Sequence, residues 1–504
     1  MKVSGATIAS RILGLVRDAA TMAYMSFGAV SAGYTIAFTL PNLFRRLLGE
    51  GALTSAMVPI FSQSLRENGK TAAFAFLNKT LTRAGLLLLG LTIFLMVAAF
   101  ISTFFLGGAP ERFLLGASFS VVILPYMALI CLAAVFTAAL NVLDSFGVPS
   151  VTPALLNIVI IASLFAGVAV FGKTDTVAIG YCMCVGWLIG GALQMGLPAY
   201  WLYRMGWRFS PDLGKTPELS ELYALFLPAL LGAAVIQLNI FISKFLALFL
   251  SDSALPSIYL SGRILEFPLG VFTIAIATVY FPKLAAVALK DVKEYRAEYR
   301  KGMIMTLCIS IPAMFGIIVL SRDILTFLFK WGLFSNSDID TCLPILIASV
   351  AGLPFFAAAT FATRGFHSAK DTRTPVKISI YSFFINIALS LILMGFFGAV
   401  GLVAANIGAA AFQAAALQKK LAIKFGTFKF KREVLKILAA SLVMTAFVFG
   451  TREVMALFLE GKILALSVCV SVIPAGIAVY FACLKMLKFE EMDAFKKIAG
   501  RIRK

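Results

Sequence analysis

Runs of roughly 20 predominantly apolar residues, separated by short polar connections, recur along the whole chain. Each is long enough to cross a ~30 Å hydrocarbon core as a helix. The pattern predicts fourteen spans, near residues 5–27, 33–64, 78–105, 117–142, 151–171, 177–203, 222–250, 256–287, 301–320, 340–366, 375–396, 399–423, 434–456 and 462–486. The expected fold class is therefore an all-α membrane protein. The first run does not read as a cleavable signal peptide, because Arg11, Arg17 and Asp18 lie inside it.

Composition agrees with the pattern. Of 504 residues, 61% are hydrophobic and only 13% are charged, too few charges to cover the surface of a soluble chain this long. The formal net charge of +20 would suggest nucleic acid in a soluble protein, but its placement argues otherwise. With a cytoplasmic N-terminus, the inner connections hold Arg66, Lys70 and Lys79, then Arg204, Arg208 and Lys215, then six basic residues between Lys283 and Lys301. Lys370, Arg373 and Lys377, a run from Lys419 to Lys436, and the tail from Lys485 to Lys504 follow on the same side. The opposite connections are poor in lysine and arginine: 26–33 and 397–398 have none. This asymmetry places both termini in the cytoplasm of a bacterial inner membrane and favours anionic lipid as a partner. Nucleic acid is not expected as a partner.

The seven cysteines are scattered and mostly sit in apolar runs, where they read as small core residues. With one histidine, His367, a histidine-based metal site is not expected, and no cofactor is expected either.

Three short matches recur at nearly one offset. Val58-Pro59-Ile60 returns as Phe281-Pro282-Lys283, Thr152-Pro153 as Thr374-Pro375, and Ala178-Ile179-Gly180 as Ala399-Val400-Gly401. They suggest a duplication of six spans, an even number that gives both copies the same orientation. The predicted organisation is an N-lobe at 1–215, a C-lobe at 216–432, and a C-terminal hairpin with a basic cytoplasmic tail at 433–504. Two such lobes with a central cleft make a transporter body.

Charges at bilayer depth cost at least ~2.5–3.5 kcal/mol each on insertion scales, so they usually face a partner or a watery cavity. The first span holds Arg11, Arg17 and Asp18, the second Arg45, Arg46 and Glu50, and the eighth Arg263 and Glu266. One reading makes Arg11, Arg17, Arg45 and Arg263 cations of a substrate cavity, supported by Asp18, Arg46, Glu50 and Glu266. The other is structural pairing, since Arg46 and Glu50 stand at i,i+4 and Arg263 and Glu266 at i,i+3. Arginine suits a diphosphate because its planar fork matches phosphate oxygens and stays charged. Helix breakers beside these charges mark candidate hinges: Gly14, then Pro41, Gly49 and Gly51, and Pro268 and Gly270 in the corresponding helix of the second half. Packing kinks are the alternative.

The segments Ser10-Arg11-Ile-Leu-Gly14-Leu-Val-Arg17-Asp18, Leu40-Pro41-Asn42-Leu-Phe-Arg45-Arg46, Glu50-Gly51-Ala52 and Val58-Pro59 resemble the MurJ (MviN) lipid II flippases. That family belongs to the multidrug/oligosaccharidyl-lipid/polysaccharide exporter superfamily. Further likeness lies in Val148-Pro149, Pro153, Leu156-Asn157, Gly262-Arg263-Ile-Leu-Glu266-Phe267-Pro268 with Gly270, and Asp371 with Thr374-Pro375-Val376-Lys377. The resemblance runs through spans 1 to 12, and the extra C-terminal hairpin also fits. It implies a non-enzymatic flippase that carries undecaprenyl-pyrophosphate-linked peptidoglycan precursor by alternating access, with cell-wall synthesis or division proteins as candidate partners. It also makes Asn386 a sodium candidate, although this chain has Ser390 where some members carry an acid, and Ala32 where members often carry another. Two other readings are a related exporter of other polyprenyl-linked oligosaccharides or drugs, and a membrane enzyme acting on polyprenyl phosphates. The second should show clustered acids or histidines on substantial loops, which this chain lacks.

Overall fold

The computed structural model describes residues 2–25, 27–288 and 290–491, with the side chains of 2–4, 6–8, 50, 236 and 271 excepted. Apolar helix formers dominate each run, and helix is the only regular structure among the described residues. In lipid this follows from hydrogen bonding, because a helix satisfies its own backbone groups where no water is present.

Two compact units emerge. The first comprises 1–256 together with 331–335, and the second 257–330 with 336–504. The first unit holds α1 (Lys2–Met25), α2 (Ala29–Phe44), α3 (Leu53–Phe105), α4 (Glu111–Ile123), α5 (Pro125–Val142), α6 (Gly147–Phe171), α7 (Thr176–Arg204) and α8 (Pro217–Ala247). Within it α6 lies between α1 and α7, α2 packs on α4, and α3 on α5. Its core gathers Met57, Phe61, Phe76, Leu77, Val135, Leu140, Leu202 and Trp207.

α9 (Ala254–Pro268) leads into the second unit, with α10 (Ile274–Val287), α11 (Val292–Val319), α12 (Ser321–Phe329), α13 (Asn336–Ala351), α14 (Leu353–Ser368) and α15 (Arg373–Phe425). α16 (Lys431–Ala456), α17 (Gly461–Ser467) and α18 (Ile473–Met486) complete it. One core there is aromatic, built on Tyr280, Tyr295, Tyr299, Phe361, Phe366 and Phe425. A second joins α11, α16 and α18 through Ile304, Ile437, Met444, Val468, Tyr480 and Leu484. Large side chains such as Phe94, Phe104, Phe396 and Phe458 stay exposed. That is the expected outer surface when lipid tails are the solvent.

Ten helices among the described residues are long and apolar enough to cross a membrane, against fourteen expected spans. The difference has local causes. The stretches Ala29–Phe105 and Arg373–Phe425 each run continuously through two expected spans. Each contains one break, at Gly69 (φ 78°, ψ 179°) and Gly398 (φ 54°, ψ −132°). The expected span at 256–287 is divided by a π-helical turn, Leu269–Thr273, and the expected span at 5–27 forms α1 but is not among the ten.

Two long-range contacts stand near the offset of the sequence matches, one inside each unit. In the first, the Asn78 side chain on α3 donates to the Arg208 carbonyl, 130 residues away and just beyond α7 (2.9 Å). In the second, Arg300 on α11 donates to the Lys429 carbonyl, 129 residues away and just beyond α15 (3.0 Å). Arg300 stands 222 positions after Asn78, the offset of the Thr-Pro match. Each contact ties a long helix to the connection that follows another, at a carbonyl four residues past that helix's end.

The start of α15 is fixed by Asp371, whose carboxylate accepts from the Thr374 amide (3.0 Å) and hydroxyl (2.8 Å). Burial pushes this carboxyl up, but the Thr374 bonds and nearby Lys424 hold it below its ordinary value.

Gly69 tests the break in α3. Its φ and ψ lie in a region reserved for glycine, yet nothing stands within 4 Å of where a Cβ would be. Gly69→Ala is therefore expected to lower stability by about 1–3 kcal/mol through backbone strain alone. Gly85→Ala, also in open space but inside helical α3, is expected to be neutral or stabilising in the same thermal unfolding series.

Candidate functional site

The two units each carry part of the expected set of charges. In the first, α1 runs without interruption through Gly14 and places Arg11 and Arg17 at different exposures. Arg11 is exposed and forms no ion pair among the described residues. Arg17 is buried, 7% exposed, and so is Asp18 at 3%. The Arg17 Nε and Nη2 atoms both donate to Asp18 Oδ1, at 3.1 and 2.7 Å. Its Nη1 donates to Asn157 Oδ1 on α6 at 3.1 Å, and its guanidinium sits 5.3 Å from the centre of the Trp187 ring on α7. Asp18 thus pairs with its chain neighbour rather than with Arg11, two turns earlier.

Asn157 ties this network to the backbone. Its amide nitrogen donates to the Ser10 carbonyl of α1 and to the Pro153 carbonyl of its own helix, each at 3.2 Å. A Cβ on Gly14 would stand 3.7 Å from that nitrogen, an ordinary contact, so the approach of α1 to α6 does not require glycine there. Trp187 is held in turn, because its Nε1 donates to the Tyr34 hydroxyl (2.7 Å) and Phe38 stacks on its ring (5.7 Å). Asn157 and Trp187 are the site residues that the pattern of charges did not single out. Their signal was an amide and an indole inside apolar runs, where each needs a partner.

α2 ends in a π-helical turn, Arg45–Ala52, that contains Arg45, Arg46, Gly49 and Gly51. Buried Pro41 lies four residues before Arg45 in α2. Arg45 is half-buried and donates from Nε to Asn42 Oδ1 (3.2 Å). A Cβ on Gly51 would lie 2.6 Å from the Arg46 carbonyl oxygen, so this widened turn requires glycine there. The Glu50 side chain, expected to pair with Arg46, lies outside the described residues.

The second unit repeats the motif of a charged helix leading into a π turn. Arg263 on α9 pairs with Glu266 at 2.9 Å, and its Nε and Nη2 donate to the Tyr259 hydroxyl at 3.1 and 2.9 Å. The Arg263 side chain keeps 30% of its surface exposed and Glu266 keeps 54%. Pro268 closes α9, and Gly270 lies in the π turn Leu269–Thr273 that follows. The first unit's turn, moved by the repeat offset of 222, overlaps this one. The interruptions expected from Gly49, Gly51, Pro268 and Gly270 thus coincide with altered helical geometry in both units.

Asn386 is buried on α15 at 1% exposure. On the same helix the Ser382 hydroxyl donates to the Ala409 carbonyl (2.9 Å), and Ser379 accepts from Gln413 (3.0 Å). No group of three or more His, Cys, Asp or Glu side chains able to hold a metal occurs among the described residues.

The sequence model of one family, Lipid II flippase MurJ, matches residues 22–472. A probable lipid II flippase MurJ of Vibrio cholerae is 32% identical over 506 residues, covering 96% of this chain and 95% of that protein. A second, from Rhizobium meliloti, is 32% identical over 418 residues, with 80% and 76% covered. The solved structure of a lipid II flippase MurJ in an inward closed conformation superposes with TM-score 0.80 at 26% identity, over 98% of this chain and 99% of that one. A multidrug transporter of the MATE family shares the fold at TM-score 0.67 and 14% identity, with 82% and 94% covered.

The Arg17 network can be tested by substitution. Arg17→Lys keeps the charge but offers one nitrogen where three now donate. Both Arg17→Lys and Asn157→Ala are expected to cost about 1–3 kcal/mol of stability, by leaving buried polar groups unsatisfied. Because they break one network, the double variant should cost clearly less than the sum. Full additivity in thermal unfolding would show that Arg17 and Asn157 act separately.

Proposed function

The chain belongs to the MurJ family of lipid II flippases, and we propose that its intramembrane arginines are the groups that receive the diphosphate of the lipid-linked precursor. The observation that carries the residue assignment is exposure. Arg11 and Arg263 sit on helices rich in apolar residues yet keep accessible guanidinium surface, which is costly in lipid unless a polar ligand or water meets it. Their planar forks fit phosphate oxygens, and a diphosphate offers enough oxygens for more than one fork.

Arg45, half-buried beside the π turn, is assigned to the same group. Buried Arg17 is assigned a part in it through its network. With Asp18 and Asn157 occupying its donors on one side, it fixes the position of α1 against α6 and adds positive potential. Arg46, Glu50 and Glu266 are supporting charges in this reading; Glu266 holds Arg263 until a phosphate competes for it. Gly14, Pro41, Gly49, Gly51, Pro268 and Gly270 would supply the bending that alternating access needs, because π turns have frayed hydrogen bonding and convert at low cost. Asn386 is a candidate ligand for a coupling sodium ion.

The direction of transport in this proposal is from the cytoplasmic to the outer leaflet of the inner membrane, with both termini in the cytoplasm. The polyprenyl tail stays in lipid while the head group crosses through a cationic cavity. Anionic lipids and cell-wall synthesis proteins are proposed partners, the former from the inward bias of basic residues.

Arg11→Ala and Arg263→Ala are each expected to abolish complementation in cells depleted of their own flippase. Externally exposed lipid II should fall at least tenfold while the variants insert normally. Full complementation by both variants would reject the cationic-cavity assignment and leave the family membership untouched. Glu266→Gln should be far milder, because it releases Arg263 without removing it.

A further inference from the structure

Beyond the helices that carry the transport site, the second unit contains a buried group of charges where the chain leaves α18. Two cations each bridge the start of α16 to the turn after α18. Arg300 donates to the Lys429 carbonyl (3.0 Å) and to Glu491 Oε1 (3.1 Å), and it also meets Glu490 (3.3 Å). Lys436 donates to Glu433 Oε1 (2.9 Å) and to the Lys488 carbonyl (3.0 Å). Phe489, 4% exposed, anchors the turn in the core shared by α11, α16 and α18. These contacts draw Glu433 and Glu491 into one buried place, at 1% and 6% exposure.

The arrangement is short of positive charge and of donors. Three carboxylates, Glu433, Glu490 and Glu491, share two cations. Glu433 Oε2 and Glu491 Oε2 are both buried and neither accepts a hydrogen bond. One added proton corrects both deficits. It neutralises one carboxylate, and the new O–H of one acid donates to the orphan oxygen of the other. The other titratable groups that interact with the pair are Tyr280 of α10 and Cys308 of α11, with Glu298 beside Tyr280 and Tyr480 of α18 beside Cys308; none of these carries positive charge. Burial, more than the opposing pull of Arg300, raises the Glu491 carboxyl above its ordinary value, and Glu433 and Glu490 push the same way.

We propose that Glu433 and Glu491 form a one-proton site that fastens the end of the last helix to α16. Protonation belongs to the docked turn, so docking is complete at low pH and weakens as pH rises through the raised Glu491 value.

The test is hydrogen–deuterium exchange of residues 487–491 in the full-length protein in lipid nanodiscs, corrected for intrinsic rates. A single linked proton predicts that wild-type protection falls by up to about tenfold per pH unit from the ordinary carboxylate value up to the raised Glu491 value, and levels off above it. Glu491→Gln should abolish that slope, since its amide donates permanently to Glu433. Glu433→Gln makes the same prediction by the reciprocal bond, should Glu491→Gln fail to fold. Glu490→Gln, which leaves the pair in place, should keep the slope. A flat wild-type profile, or equal slopes in wild type and the pair variants, would overturn the proposal. So would recovery of protection at high pH on adding sodium or potassium but not choline, because the site would then hold a metal cation rather than a proton.

Discussion

A guanidinium that enters a hydrocarbon layer must find acceptors there or keep contact with water, and much of this chain's local architecture follows from that requirement. Arg17 takes the first course. Its three donating nitrogens are met by Asp18 and Asn157, with the face of Trp187 beside them, and these partners bring α1, α6 and α7 together. Arg452 does the same in the second unit, where Asp323 and Glu453 accept from it. Arg11 takes the other course and stays exposed. The contrast separates arginines that build the helix packing from one that does not.

The same requirement governs the backbone. Where a helix widens into a π turn or ends at a buried connection, its polar groups need substitutes. Outside the helices, Asn78 donates to the Arg208 carbonyl and Arg300 to the Lys429 carbonyl, each in an exposed connection that follows a helix. The two donors stand 222 positions apart and differ in residue type. Arg300 has the longer reach, and it also carries the acids at the end of α18 that have no counterpart in the first unit.

Much of the membrane fold was legible in advance, because apolar length is a local property of the chain. The resemblance in residues 10–18, 40–46 and 263–268 pointed to the family that the whole-chain comparisons then established. Helix interruptions were legible at Gly49, Gly51, Pro268 and Gly270, since glycine and proline weaken the backbone ladder wherever they stand. Span number was harder. Gly69 and Gly398 break helices through φ and ψ values that an apolar pattern does not encode.

The sequence by itself determined the helical membrane class and the charged positions within apolar runs, and it offered the pair of Arg263 with Glu266 as one of two readings, because each depends on spacing within one segment. Only the tertiary structure decided that Arg17 is buried against Asn157, 140 residues away, and that Glu491 meets Arg300 of α11, 191 residues away, while Glu433 pairs with Lys436. Burial and the choice of partner are properties of helices packed together. A buried arginine and an exposed one have the same side chain, and only packed neighbours distinguish them.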